Sequence, residues 1–414
     1  AARPGLLWAA RLLPLVLLGL AVGDIFLGMA PWWIFPGLAQ LEVLRRTSGT
    51  LPAQLSVAES GGPVLRAYVP QIELLEKAEW RSAGLRSLGD RLEEEGEAAS
   101  RSLDRLAGLL DTVESRRNLF WAALAPILLL DVHLTHRLDR WRTTHGPSVR
   151  RWLGVLGEWE ALSALATLAH DHPGWAFPEL VEEEEEARLT AEAVGHPILR
   201  PDECVRNDVT VGPPGSFLLV TGSNMSGKST LLRALGTNAV LASAGAPVCA
   251  TAFRLPAVRV HTSMRIDDSL AQGVSLFMAE LLRVRDIVRA ADAEGPPVLY
   301  LLDEILHGTN TAERRVAARG IIRHLLHAGA IGAVSTHDLT LARAPDLEAA
   351  AHAVHFREEV EETRGREGGA STRLHFDYTL RPGVATTRNA LKLLDAVGLG
   401  GLELNEAEAA EDEA

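Results

Sequence analysis

Gly222-Ser223-Asn224-Met225-Ser226-Gly227-Lys228-Ser229 follows the spacing G-x-x-x-x-G-K-S/T, which suits the grip of a polyphosphate. Gly222 and Gly227 let the main chain come close to phosphate oxygens without a side chain in the way. Ser223, Asn224, Met225 and Ser226 lie between them and supply backbone N–H groups to the anion. Lys228 is placed to bridge the β and γ phosphates, and the Ser229 hydroxyl to join a magnesium shell. A helix is expected to begin at Thr230, with its positive end toward the phosphates. The expected ligands are ATP and Mg2+.

Val298-Leu299-Tyr300-Leu301-Leu302-Asp303-Glu304 is an apolar run that ends in two carboxylates. Such a run fits a strand buried at the centre of a sheet. Ligands of open α/β sheets bind beyond the carboxyl ends of the strands, which brings Asp303 to the phosphates. There it holds magnesium, directly or through water. Glu304 is left to orient or deprotonate the attacking water. Ser335-Thr336-His337-Asp338 follows a third apolar run, Ile331 to Val334. His337 at that strand end reaches the γ-phosphate and reports whether it is present. Alone, it would be read as an ordinary surface or structural histidine. Gly308-Thr309-Asn310 is a turn signal that also suits contacts across a dimer.

These groups need a sheet and helices to hold them. Phe217 to Val220, Val298 to Leu302 and Ile331 to Val334 are expected strands with helical patterns between them, the signature of a mostly parallel α/β sheet. The expected fold is an ABC-type P-loop NTPase domain preceded by an all-α lever domain. Arg373 to Leu380 adds a late strand and Asn389 to Val397 a closing helix. Upstream, Leu74, Leu75, Leu85, Leu88, Leu92, Leu103, Leu106, Leu109 and Leu110 recur largely at three- and four-residue steps, which predicts long helices from Val64 to His170. Leu119 to Leu134 is apolar but short for a membrane span, and reads as a helix buried in protein. Glu182 to Glu186 reads as a solvated face or a short surface helix. The expected divisions are a membrane segment over 1–46, helices over 47–195, the ATPase over 196–400 and an acidic disordered tail over 401–414.

Between Leu12 and Gln40 the one charged residue is Asp24. One reading is a single membrane helix from Leu12 to Phe35. A second is a hairpin turning near Gly23-Asp24, with Arg3 and Arg11 on one flank and Arg45-Arg46 on the other, which favours both ends in the cytoplasm. A buried core helix or an export signal are the plainer alternatives. An export signal would take an ATPase away from ATP. The expected location is therefore a cytoplasmic ATPase anchored to the inner membrane. The chain opens on Ala1, which leaves room for residues upstream.

The net charge of -13 excludes a chain that binds nucleic acid by its overall charge. Arg137, Arg140, Arg142, Arg150 and Arg151, with His133, His136 and His145, form the densest basic stretch, read first as a solvated helix face and second as a DNA contact. Cys204 and Cys249, the two cysteines of the chain, lack metal-ligand spacing and fit a reducing compartment.

Thr221 to Thr230 resembles the "TGPNMGGKST" loop of the MutS family of ATPases, and its Asn224-Met225 pair is narrower than a generic phosphate loop. Asp303 to Asn310 is similar to the family's "DEIGRGTS" segment, Ser335-Thr336-His337 to its "ATH" switch, and Gly273 to Glu280 to "GRSTFMVE" with Val274 and Leu276 substituted. His196-Pro197 and Asn207-Asp208 resemble the lead-in that contacts adenine, with the stacking position at Cys204 or Val205. Trp159 to Ala166 and Trp175 to Pro178 look like the end of the family's helical core. The apolar N-terminus resembles the membrane-bearing members. The resemblance implies an ATPase that works as a homodimer, with Ser275 entering the partner's nucleotide site and Asn207 beside the base. It implies DNA as a partner in mismatch repair. Against DNA, the segment upstream does not resemble a mismatch-recognition domain, and Phe356-Arg357-Glu358, downstream of the ATPase core, matches the family's Phe-x-Glu wedge only by accident. The alternative is a membrane-anchored ATPase acting on a protein partner.

Overall fold

The computed structural model describes residues 4–28, 30–47, 62–94, 97–115, 119–181, 187–264, 276–306, 311–364 and 370–385. The expected segments 182–186, 389–397 and 401–414 lie outside these residues. The chain divides into two compact units, Ala1–Ala164 and Leu165–Ala414.

The first unit is helical, apart from the two-residue strands β1 (Glu93–Glu94) and β2 (Glu97–Ala98). Its described helices are α1 (Pro4–Leu27), α2 (Ile34–Thr47), α3 (Gly62–Lys77), α4 (Ala83–Asp90), α5 (Ala99–Glu114), α6 (Leu119–Leu128) and most of α7 (Leu130–Asp171), which runs on past Ala164. The leucine spacing has the expected result: Ile72, Leu75, Leu88, Leu92 and Leu103 form a core with Trp152, which is 1% exposed. Ser82 caps α4 by accepting a hydrogen bond from the Leu85 N–H. Leu119 to Leu134 is not one helix: Leu129 takes a positive φ of 50° and separates α6 from α7. Arg137, Arg140, Arg142, Arg150 and Arg151 are all exposed on α7, as a solvated face requires.

The second unit contains β3 (Glu179–Val181), β4 (Leu189–Val194), β5 (Asn207–Val211), β6 (Phe217–Thr221), α8 (Lys228–Ser243), β7 (Ala252–Pro256) and β8 (Arg259–Ser263). It continues through α9 (Leu276–Asp292), β9 (Val298–Asp303), α10 (Thr311–His327), β10 (Ile331–Thr336), α11 (Leu339–Ala342), β11 (Ala351–Arg364) and β12 (Ala370–Pro382). The larger sheet has six strands in the order β12-β11-β6-β10-β9-β8. Its pairings are parallel except for β11 with β12. Side chains alternate across it. Leu218, Val220, Leu299 and Leu301 face one core with Leu231, Leu232 and Leu235 of α8. Phe217, Leu219, Val298, Tyr300 and Leu302 face the other, with Ile287 of α9 and Ile322 and Leu325 of α10. Covering both faces lets β6, β9 and β10 be buried along almost their whole length and carry mostly apolar residues, which is why they were readable as strands.

Two expectations change here. β4 pairs with β5 and β7 in a second sheet of order β3-β7-β4-β5, so strand pairing joins residues upstream of the expected 195/196 division to the nucleotide unit. Phe356-Arg357-Glu358 lies on β11, which pairs with β6 inside the main sheet rather than downstream of it.

Candidate functional site

β6 delivers the chain into the glycine loop, and α8 takes it away from Lys228, two residues before the expected Thr230. Gly222 and Gly227 have φ of 144° and 107°, and Met225 has 68°. Sterics demand the glycines too. A Cβ on Gly222 would lie 2.9 Å from Ser226 Oγ, and one on Gly227 3.2 Å from the Tyr378 ring. No side chain caps α8, so its first N–H groups remain open to an anion. Lys228 is 5% exposed, and its Nζ donates to Gly222 O (2.9 Å) and Ser223 O (2.8 Å). Burial holds the Lys228 ammonium below the usual lysine range, while Glu304 and Asp303 pull it partly back. Behind the loop, Ser223 Oγ donates to Glu358 Oε2 at 2.6 Å, and this carboxylate also lies within the field of Lys228.

Asp303 ends β9 across from the loop, and Glu304 follows it in the turn. The Ser335 hydroxyl donates to Asp303 Oδ1, which orients that carboxylate. Glu304 Oε1 lies 3.7 Å from Lys228 Nζ and 3.3 Å from His337 Nδ1. The Glu304 backbone has φ of 53° and that of Leu306 60°, a conformation rare outside glycine. Two contacts hold this strained turn: Glu304 N donates to Ser335 O at 3.1 Å, and Leu306 N to the buried Glu280 carboxylate.

Asp338 anchors the turn that carries His337. It accepts from Arg315 Nε at 2.7 Å and caps α11 through Thr340 N at 3.0 Å. Burial favours its neutral form, but the Arg315 and Thr340 hydrogen bonds and the Arg315 charge outweigh it and lower the pKa. A lowered carboxylate pKa stabilises the fold above the ordinary range near about 4, and this contribution is lost as pH falls through the folded value. Asp338→Asn is expected to cost about 1–2 kcal/mol at neutral pH. Its unfolding curve should merge with the wild type as the solution is acidified. A gap that stayed constant from neutral to acid pH would contradict this assignment.

The loop and the acidic edge open into one cavity of about 820 Å³, lined by Asn224, Met225, Gly227, Lys228, Ser229 and Thr230 together with Asp303 and Glu304. Its other end is walled by His196, Leu199, Val205, Asn207 and Tyr378, of which Val205 is 43% exposed. Buried Asn238 holds that end in place, donating to Gly195 O at 2.9 Å and accepting from Cys249 N at 2.7 Å. Burial and the Arg233 charge lower the His196 pKa, which favours the neutral ring. Asn207 lines the cavity, yet its amide is engaged by β12: Nδ2 donates to Tyr378 O (3.0 Å) and Oδ1 accepts from Leu380 N (2.7 Å). In this arrangement it shapes the wall and positions Tyr378, a residue not singled out in the sequence. Ser275 and the turn Gly308-Thr309-Asn310 lie outside the described residues.

Ser229 and Asp303 offer a hydroxyl and a carboxylate to the same cavity, a hard oxygen set that fits magnesium. Among the described residues no group of three or more His, Cys, Asp or Glu gathers around a metal position. A cation there would take its remaining ligands from water and phosphate, which is the habit of magnesium rather than calcium.

A mixed α/β domain with a glycine loop facing a strand-end carboxylate pair is the class that this geometry defines. Residues 218–413 match the family model of MutS domain V. A DNA mismatch repair protein MutS 2 of Halobacterium salinarum is 36% identical over 208 residues, 49% of this chain and 23% of the relative. DNA mismatch repair proteins MutS of Haloquadratum walsbyi and Shouchella clausii are 33% identical over 192 residues and 32% over 202, covering 20% and 23% of their lengths. The C-terminal half of the chain belongs to the MutS family. The chain spans about a quarter or less of the curated relatives it matches.

Proposed function

We propose that the second unit binds ATP as its magnesium salt and hydrolyses it to ADP and phosphate. The observation that supports this most is the convergence of Lys228, Ser229, Asp303 and Glu304 on one cavity, with the lysine ammonium 3.7 Å from the Glu304 carboxylate. In this reading the loop N–H groups and Lys228 hold the β and γ phosphates. Ser229 and Asp303 would hold magnesium, whose chemistry when bound is to neutralise charge on the phosphate oxygens. Glu304 Oε1 orients the attacking water and takes its proton. His337 Nδ1, 3.3 Å from that oxygen, senses the γ-phosphate and fixes the carboxylate. Leu199, Val205 and Tyr378 give the base an apolar berth. Titration with ATP and Mg2+, followed by phosphate release, tests this reading. No binding at millimolar nucleotide would overturn it.

We also propose that two such domains pair, with Ser275 completing the partner's site, and that bound ATP or ADP selects between two dimer arrangements. The relatives are named mismatch repair proteins, which supports association with DNA. The net charge of -13 favours the second reading, in which the ATPase acts on a protein partner without reading mismatches. DNA binding that weakens steeply with salt selects the first, and none at low salt the second.

A further inference from the structure

The first unit presents apolar surface on three helices, two of them neighbours in sequence and the third far along the chain. Only 11% of the apolar stretch of α1 is buried, so it is not the core helix of a soluble fold. Leu15, Leu18 and Ile25 of α1, Phe35 and Leu38 of α2, and Ile127 of α6 all stand exposed. A soluble protein seldom leaves so much contiguous apolar area uncovered.

We infer that α1, α2 and α6 form a three-helix unit embedded in a lipid bilayer, whose polar boundary crosses the start of α7. Three observations point to lipid. The first is a shared level at which charge begins. Ala10 of α1 packs with Leu129 and Val132 at the α6–α7 junction and with Val43 and Leu44 of α2. Arg11, the Glu42–Arg45–Arg46 cluster and Asp131 all lie within a few residues of that contact. From Leu12 to Gly23 there is no charge at all.

The second is an aromatic girdle at each end of the apolar slab. Arg11 sits 5.7 Å over the Trp8 ring at one end. At the other, Trp33 Nε1 donates to Asp24 at 2.9 Å and Trp32 stacks on Phe35. At about 1.5 Å per residue the two girdles are roughly 24 Å apart along α1. That is a little under the roughly 30 Å of a hydrocarbon core, a mismatch met by local thinning and by snorkelling of Arg11. Tryptophan rings seek this interface.

The third is the treatment of backbone carbonyls. The break at Leu129 leaves the last carbonyls of α6 without helical donors. Buried Gln40 of α2 donates its Nε2 to Pro126 O (2.8 Å) and Ile127 O (2.5 Å). In water such carbonyls would be hydrated, whereas in lipid each needs a protein donor. The packing of α1 against α2 and α7 also sets it apart from a detachable export signal.

The test uses the full chain in bacterial membranes. It should stay with the membranes through an alkaline carbonate wash. An impermeant maleimide should label Leu18→Cys and Ile127→Cys roughly tenfold or more slowly than Arg142→Cys, and detergent should abolish the difference. Release by carbonate, N-terminal cleavage, a detergent-free oligomer that covers the patch, or fast labelling of Leu18→Cys would each overturn embedding. Fast labelling of Ile127→Cys alone would overturn the third helix.

Discussion

Glu304→Gln is expected to slow ATP turnover by about 10²–10⁴-fold, the usual worth of a positioned general base. ATP should stay bound, because the substitution keeps the shape of the side chain. Glu304 faces Lys228 at 3.7 Å and His337 at 3.3 Å, so loss of its charge removes a repulsion toward the γ-phosphate while the phosphate cradle is untouched. Affinity for the triphosphate should therefore hold or rise. A single-turnover measurement separates binding from chemistry. Turnover within threefold of the wild type would remove Glu304 from the role of base.

Lys228→Ala is expected to weaken binding of ATP with magnesium by about 2–5 kcal/mol, as truncation of a buried charged partner does. At about 1.4 kcal/mol per decade this is a loss of roughly 30- to several-thousand-fold. The same change strips Gly222 O and Ser223 O of their donor, so the nucleotide-free domain should also melt earlier. Calorimetric titration checks the first effect and thermal unfolding the second. Unchanged affinity in a folded Lys228→Ala variant would mean that phosphate is not held at this loop.

That the glycine loop, the acidic pair and His337 come together was legible because residue type recurs there at fixed spacing, and because β6, β9 and β10 are mostly apolar runs. β11 was not legible. Its stretch Ala351–Arg364 carries Glu358, Glu359, Glu361 and Glu362, a run that reads as solvated surface until pairing with β6 and β12 places it in the sheet. β4 and β5 are no shorter than β6, but they mix polar with apolar residues and offer no continuous apolar run to read. Tyr378 lay on an expected strand, but only long-range pairing turns it into a cavity wall. Asn207 shows the same limit from the other side: the family resemblance implied a place beside the base, while its amide partners lie far along the chain on β12.

The cavity lining sets Glu203, Glu280, Asp303 and Glu304 against Lys228 and Arg233, with Glu358 behind the loop and His196 inclined to neutrality. Such a vessel is electrically unwelcoming to a bare tetra-anion. A triphosphate that arrives already half-discharged by a divalent counter-ion meets much less opposition. Chelating agents should therefore empty this chamber of nucleotide, as well as stall its chemistry.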